Sequence, residues 1–235
     1  MAESDQAARR RHYLTALGIE EWLPRQVASV PVTVAGPAIS SARTDPDAAW
    51  EHLSDEVARC TRCDLYRTRT RAVLGVGDRH AQWLVVGEAP GAEEDRQGEP
   101  FVGRAGQLLD AMLRAIGLAR GHNVYIANIL KSRPPGNRDP AAVEVAACLP
   151  YLERQIELIR PRLILAVGRI AMQNLLGTQA TLGRMRGQVF EFGALKTALV
   201  VTYHPAYLLR KPEDKRKTWE DLKFARGVFE RLAQG

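Results

Sequence analysis

Four short apolar runs decide what this chain can fold into: WLVVGE at 83–88, NVYIANIL at 123–130, LILAVG at 163–168 and ALVVTYH at 198–204. Each is strand-length and lacks the polar alternation of a half-exposed strand, and helical patterns stand between them. Such runs are strands covered on both faces, and intervening helices make the sheet parallel. The expected fold is α/β, a three-layer α/β/α sandwich around a central four-stranded parallel sheet.

Sheets of this kind collect ligands at the carboxyl ends of their strands. That rule selects four loops at once: GEAPGAEEDRQGEPF, KSRPPGNRDP, GRIAMQ and HPAYLLR. Asp45-Pro46 and Asp139-Pro140 are expected to cap the helices of DPDAAWEHLSDEVARC and AAVEVAACLPYLERQIELI. Helical patterns also fill GRAGQLLDAMLRAIGL, RIAMQNLL and the tail KTWEDLKFARGVFERL. Residues 1–25 read as an amphipathic docking peptide, 26–45 as a flexible linker rich in Pro, Ala, Ser and Val, and 46–235 as the folded domain.

Lys and Arg outnumber Asp and Glu by 33 to 27, a net charge of +6. The excess favours a polyanionic partner, nucleic acid first. No apolar run approaches a membrane span and the N-terminus lacks an apolar leader, so a cytoplasmic, monomeric protein without membrane contact is expected. Three cysteines, an odd number, argue against a disulfide framework and leave a metal site or inert thiols.

The first loop carries glycines at 87, 91, 98, 103 and 106, acids at 93, 94 and 95, and one aromatic, Phe101. It matches neither nucleotide-binding glycine pattern. Phe101 in so polar a loop is either a plate on which a planar base stacks or an anchor for the loop. Asn128 closes the second strand, where a buried amide without a partner is costly, and its acceptor and two donors suit the edge of a nucleobase. Glu88 and His204 end two further strands. Three such side chains converging on strand ends point to a site.

The stretches GEAPGAEEDRQGEPFVGRAGQLL, NILKSRPPGNRDP and YHPAYLLR resemble the three signature regions of the family 4 uracil-DNA glycosylases, the iron-sulfur branch of that superfamily. The likeness runs in order from about Cys60 to the C-terminal helix. It implies a uracil-DNA glycosylase fold and a base excision repair enzyme, a hydrolase that flips uracil out of DNA and leaves an abasic site. It also implies that Phe101 stacks on the base, that Asn128 bonds its N3 and O4, and that His204 donates toward O2. Gly87 and Ala89 belong to the same pocket. Ala89 stands where the best-known members carry a water-activating aspartate, which leaves Glu88 to position water. Glu94 corresponds to the residue beside C5 of uracil. HPAYLLR resembles the intercalation loop, with Leu208 and Leu209 as wedges and Arg210 on the backbone. Arg133, Pro134 and Arg138 would grip phosphates.

The resemblance further implies a 4Fe-4S cluster held by four cysteines. Cys60, Cys63 and Cys148 occupy three of those places and Ser132 the fourth. A serine hydroxyl is a poor iron ligand. A cluster with a weak fourth ligand, a labile one, a zinc site and an empty site all remain open. A competing reading keeps the fold but not the catalysis, as a DNA-binding or replication-associated scaffold. Residues 9–25, RRRHYLTALGIEEWLPR, resemble the N-terminal peptide of the psi subunit of the bacterial replicative clamp loader, which implies docking there; the alternative is a helix packed on the domain itself.

Overall fold

A computed structural model of the chain describes residues 45–234. The docking peptide expected at 1–25 and the linker up to residue 44 lie outside the described residues. Six strands form one sheet: β1 (Val76–Gly77), β2 (Trp83–Gly87), β3 (Val124–Asn128), β4 (Leu163–Val167), β5 (Phe190–Phe192) and β6 (Thr197–Thr202), in the order β1-β3-β2-β4-β6-β5. The central four, β3, β2, β4 and β6, are parallel, as their apolar runs require. The edges β1 and β5 pair antiparallel and were not anticipated. They are two and three residues long, too short to carry a period.

The helices are α1 (Pro46–Ala58), α2 (Ala92–Gln97), α3 (Arg104–Ala115), α4 (Ala142–Ile159), α5 (Arg169–Leu176), α6 (Leu182–Met185), α7 (Pro205–Arg210) and α8 (Lys215–Gln234). Successive strand residues face opposite ways. Leu84, Val86, Ile164 and Leu199 therefore pack with Leu53 of α1, Leu152 of α4 and Met172 of α5. Trp83, Val85, Leu165 and Val200 pack with Leu113 of α3, Leu208 of α7 and Leu222 of α8 on the other face. These two buried layers make the expected three-layer sandwich.

One cap follows expectation and one does not. Asp45 accepts from the Asp47 amide at 3.1 Å and opens α1. At α4 the cap is Ala141, whose amide donates to Glu144 Oε2 at 2.8 Å. Asp139 instead pairs with Arg169 at 2.8 Å. Its carboxylate is drawn off by a cation thirty positions away, which the local Asp-Pro signal does not contain. HPAYLLR is a helix rather than a loop: His204 Nδ1 accepts from the Ala206 amide at 3.1 Å, and Pro205 takes the first turn.

The chain crosses from one side of β2 to the other between β3 and β4, which makes the ends of β2 and β4 a topological switch point. The crevice expected there holds the site.

Candidate active site

A cavity of about 450 Å³ opens beyond the carboxyl ends of the parallel strands. Glu88, Ala89, Glu94, Phe101, Asn128, Pro134, Arg138, His204 and Arg210 line it, so loops far apart in sequence meet as the strand-end rule requires. Asp139 and Tyr207 line it too. Sequence reasoning missed both, taking Asp139 for a helix cap and giving Tyr207 no role.

Phe101 has a left-handed backbone, φ 55°, which is rare for an aromatic residue and needs support from its surroundings. Arg120 donates to the carbonyls of Pro100 and Phe101 at 2.9 and 2.8 Å. Glu94 Oε1 accepts from the amides of Val102 and Gly103 at 3.0 and 3.2 Å, and Oε2 from Gly91 at 3.1 Å. The ring is thereby held at 6 % exposure, its centroid 5.5 Å from that of His204 at an interplanar angle of 30°. Gly87 makes room at the other side: a Cβ there would lie 2.4 Å from Asn128 Oδ1 and 2.6 Å from Phe101 Cζ.

Burial and neighbouring charges shift two of the cavity's titratable groups strongly. His204 is pulled down to about 4, first by desolvation and then by Arg210, against the opposing Glu94. It is neutral at pH 7. Because Nδ1 accepts from the Ala206 amide, the ring proton sits on Nε2 and is free to donate. Asn128 is 2 % exposed and its Oδ1 has no hydrogen-bond partner. A buried acceptor left open costs roughly 1–3 kcal/mol and implies a donor from a ligand. Glu88 is pushed up to about 7 by desolvation and by Asp139, with Arg169 opposing. Its carboxyl changes charge in the range where a general base is most effective.

The surface residues separate by what they already touch. Leu209 is 37 % exposed and Leu208 is 1 % exposed. Expected as a wedge, Leu208 is a core residue, because adjacent positions on α7 face different ways. Arg138 makes a two-pronged ion pair with Glu144 at 2.9 and 2.5 Å. Arg133 donates to Asn137 Oδ1 at 2.8 Å, and Arg210 is exposed.

Cys60, Cys63, Cys148 and Ser132 surround one small cavity between α1 and α4. Burial pushes the Cys148 thiol up, against the nearby Lys131, whose amide donates to Cys148 Sγ at 3.1 Å. Ser132 Oγ accepts from Arg69 Nη1 at 3.0 Å, and Arg69 Nη2 donates to the Ala58 carbonyl at 2.8 Å. Three soft thiols and a hard hydroxyl already engaged by a guanidinium do not make the all-thiolate set that a 4Fe-4S cluster takes. Among the described residues no group of three or more His, Cys, Asp or Glu side chains is placed to hold a metal ion. Nor, among them, is any helix long and apolar enough to cross a membrane.

Residues 74–223 match the model of the uracil DNA glycosylase superfamily. The chain belongs to that superfamily. It is 47% identical over 182 residues to a type-4 uracil-DNA glycosylase of Archaeoglobus fulgidus, covering 74% of this chain and 91% of that protein. Type-4 enzymes of Pyrobaculum aerophilum and Thermotoga maritima are 43% and 40% identical, covering 73% and 77% of this chain and 90% and 95% of theirs. The superfamily match begins just before β1 and ends within α8, so it takes in the whole sheet and every residue of the cavity wall.

Proposed function

We propose that this chain excises uracil from DNA by hydrolysing the bond between base and deoxyribose, leaving an abasic site. The observation that carries the reading is the open Asn128 acceptor, buried beside a ring fit for stacking and a neutral imidazole with a free donor. Uracil presents an N–H at N3 beside an acceptor at O4. The Asn128 amide complements that pair, with Oδ1 accepting and Nδ2 donating. Cytosine exchanges both groups, so it meets two mismatched contacts, and sites built on such bonds reject the wrong partner strongly. The type-4 relatives' names agree with this reading.

The flipped base stacks on Phe101. As the glycosidic bond breaks, its electron pair stays on N1 of uracil and the charge spreads to O2. His204 Nε2–H donates to that oxygen, and one such donor contributes about 2.7–4 kcal/mol to the transition state. With its pKa near 4, His204 stabilises the anion by hydrogen bonding rather than by giving up a proton. Water attacks C1′ and is positioned by ionised Glu88. Glu94 holds the Phe101 loop and lies toward C5 of the base. Leu209 fills the space that the base vacates, while Arg210 and Arg133 lie on the phosphates beside Pro134. Arg138 acts there with its charge partly met by Glu144.

The thiol site carries no step of this reaction; its role is to tie α1 to the loop after β3. We propose that residues 9–25 contact the replicative clamp loader; deletion of residues 1–25 is expected to abolish retention on it, and unchanged retention counts against the contact. The enzyme reading is tested with an end-labelled uracil-containing oligonucleotide treated with alkali after incubation. Strand cleavage is expected, reduced at least a hundredfold in Asn128→Ala and His204→Ala. An intact oligonucleotide with folded wild-type protein overturns the reading and leaves the non-catalytic scaffold.

A further inference from the structure

Lys131 is buried to 2 % exposure, and no step of the proposed reaction uses it. Its ammonium donates to the backbone carbonyl of Asn128 at 2.9 Å and to Gln155 Oε1 at 2.5 Å. Gln155, also fully buried, donates through Nε2 to the Leu74 carbonyl at 3.0 Å and to the Tyr125 hydroxyl at 3.2 Å.

The sheet register explains why these groups are here. β1 pairs Val76 with Ile126 and Gly77 with Tyr125, and continuing that antiparallel register would set Leu74 opposite Asn128. β1 begins only at Val76, so both carbonyls lie past the end of the ladder, that of Asn128 buried and that of Leu74 on a half-buried residue. Buried carbonyls require donors. Gln155 takes one and Lys131 the other. On its opposite side the strand end is held by β2, where the Ile129 amide donates to the Gly87 carbonyl at 3.0 Å. Lys131 is therefore the second of two supports for the peptide that carries the base-reading amide. Its own backbone is fixed in turn, the amide on Cys148 Sγ at 3.1 Å and the carbonyl on the Val73 amide at 2.8 Å. One residue thus spans from the thiol site to the base pocket.

We infer that Lys131 is a positioning residue for uracil recognition: its ammonium fixes the Asn128 peptide plane and so the direction in which the Asn128 side chain enters the pocket. The tolerance is small, because Asn128 Oδ1 already sits where a Gly87 Cβ would lie 2.4 Å away. The inference rests on the reading of Asn128 as the group that recognises uracil.

The test compares Lys131→Met, Gln155→Met and Asn128→Ala by single-turnover excision, inhibition by free uracil, affinity for abasic-site DNA and thermal melting. Lys131→Met keeps the side-chain length and removes both donated bonds. It is expected to weaken free-uracil inhibition and slow excision by about tenfold each, with abasic-site affinity unchanged and melting within a few degrees of wild type. Gln155→Met leaves the bond to Asn128 but frees its other end, and a smaller loss of about threefold is expected. Uracil inhibition unchanged in whichever variant folds overturns the inference. So does a parallel fall in uracil inhibition, abasic-site affinity and melting temperature, or failure of both variants to fold, since each outcome makes the pair structural only. Asn128→Ala separates the two levels. If it retains uracil inhibition, the recognition role of Asn128 fails; if it loses it while Lys131→Met does not, the inference alone fails.

Discussion

The pH dependence of excision isolates Glu88. Its carboxyl is pushed up to about 7, mainly by desolvation and secondarily by the Asp139 carboxylate. If ionised Glu88 positions the attacking water, the single-turnover rate climbs with unit slope below pH 7 and levels above it. About one carboxyl in ten is ionised at pH 6 and about nine in ten at pH 8, so the rate rises about tenfold between them. His204, with its pKa near 4, stays neutral throughout this window and adds no slope. Neighbouring charges set the sign of further shifts. Asp139→Asn removes a repelling negative charge and moves the limb to lower pH, while Arg169→Gln removes an attracting positive one and moves it higher. Glu88→Gln abolishes the limb and lowers the plateau. The assay is single-turnover excision on a short uracil-containing oligonucleotide from pH 5.5 to 8.5. A flat wild-type profile, or a limb that survives in Glu88→Gln, refutes the role.

The same shift makes a statement about stability. A carboxyl whose folded pKa is raised above its unfolded value favours the folded state while protonated. That contribution is full below about 4.5, the unfolded value, and is lost as pH rises through about 7. Glu88→Gln should therefore melt above wild type at pH 8 while excising more slowly. A lower melting temperature there would show that the carboxylate is held by contacts rather than merely desolvated.

Other positions give sharper contrasts. In Gly87→Ala the new methyl meets both Asn128 and Phe101, so excision falls about a hundredfold or more even where the protein still folds; near-normal rates would show that the pocket relaxes freely. Leu208→Ala destabilises by about 2–5 kcal/mol in chemical denaturation, whereas Leu209→Ala leaves stability within about 0.5 kcal/mol and lowers activity on duplex more than on single-stranded DNA. Equal stability losses would refute their assignment to core and surface. Ser132→Cys supplies a fourth thiol, so after anaerobic reconstitution it binds more iron and absorbs more strongly in the thiolate-to-iron charge-transfer region than wild type. Equal iron in both would show that the serine is no obstacle.

The central strands were legible because burial on both faces removes polar alternation, leaving runs such as LILAV that a helix-length segment would not match. The two edge strands were not, having no length in which to express a period. Asp45-Pro46 and Asp139-Pro140 are the same dipeptide with different outcomes, and the difference is tertiary: Arg169 takes one carboxylate and Glu144 caps the helix in its stead. Leu208 and Leu209 could not be told apart while HPAYLLR read as a loop. Once His204 and Pro205 start a helix there, one leucine turns into the core and the other toward solvent.

Legibility of the site divides along a physical line. Glu88, Asn128 and His204 stand at or just beyond strand ends, where the parallel sheet brings its loops together, so reading the strands was enough to bring them together. The groups that hold them in place have no such mark. Arg120 grips Phe101 from nineteen positions away, and Gln155 reaches Lys131 across twenty-four. A lysine between an apolar strand and a proline loop reads as surface charge, and only the register shows that β1 stops short of the carbonyls that Lys131 and Gln155 take. On the proposed reading, residues that meet the base leave a donor or acceptor open, as Asn128 Oδ1 and His204 Nε2 do. Residues that support them are fully satisfied, and so they look structural until the peptide they hold is traced to Asn128, the proposed reader of the base.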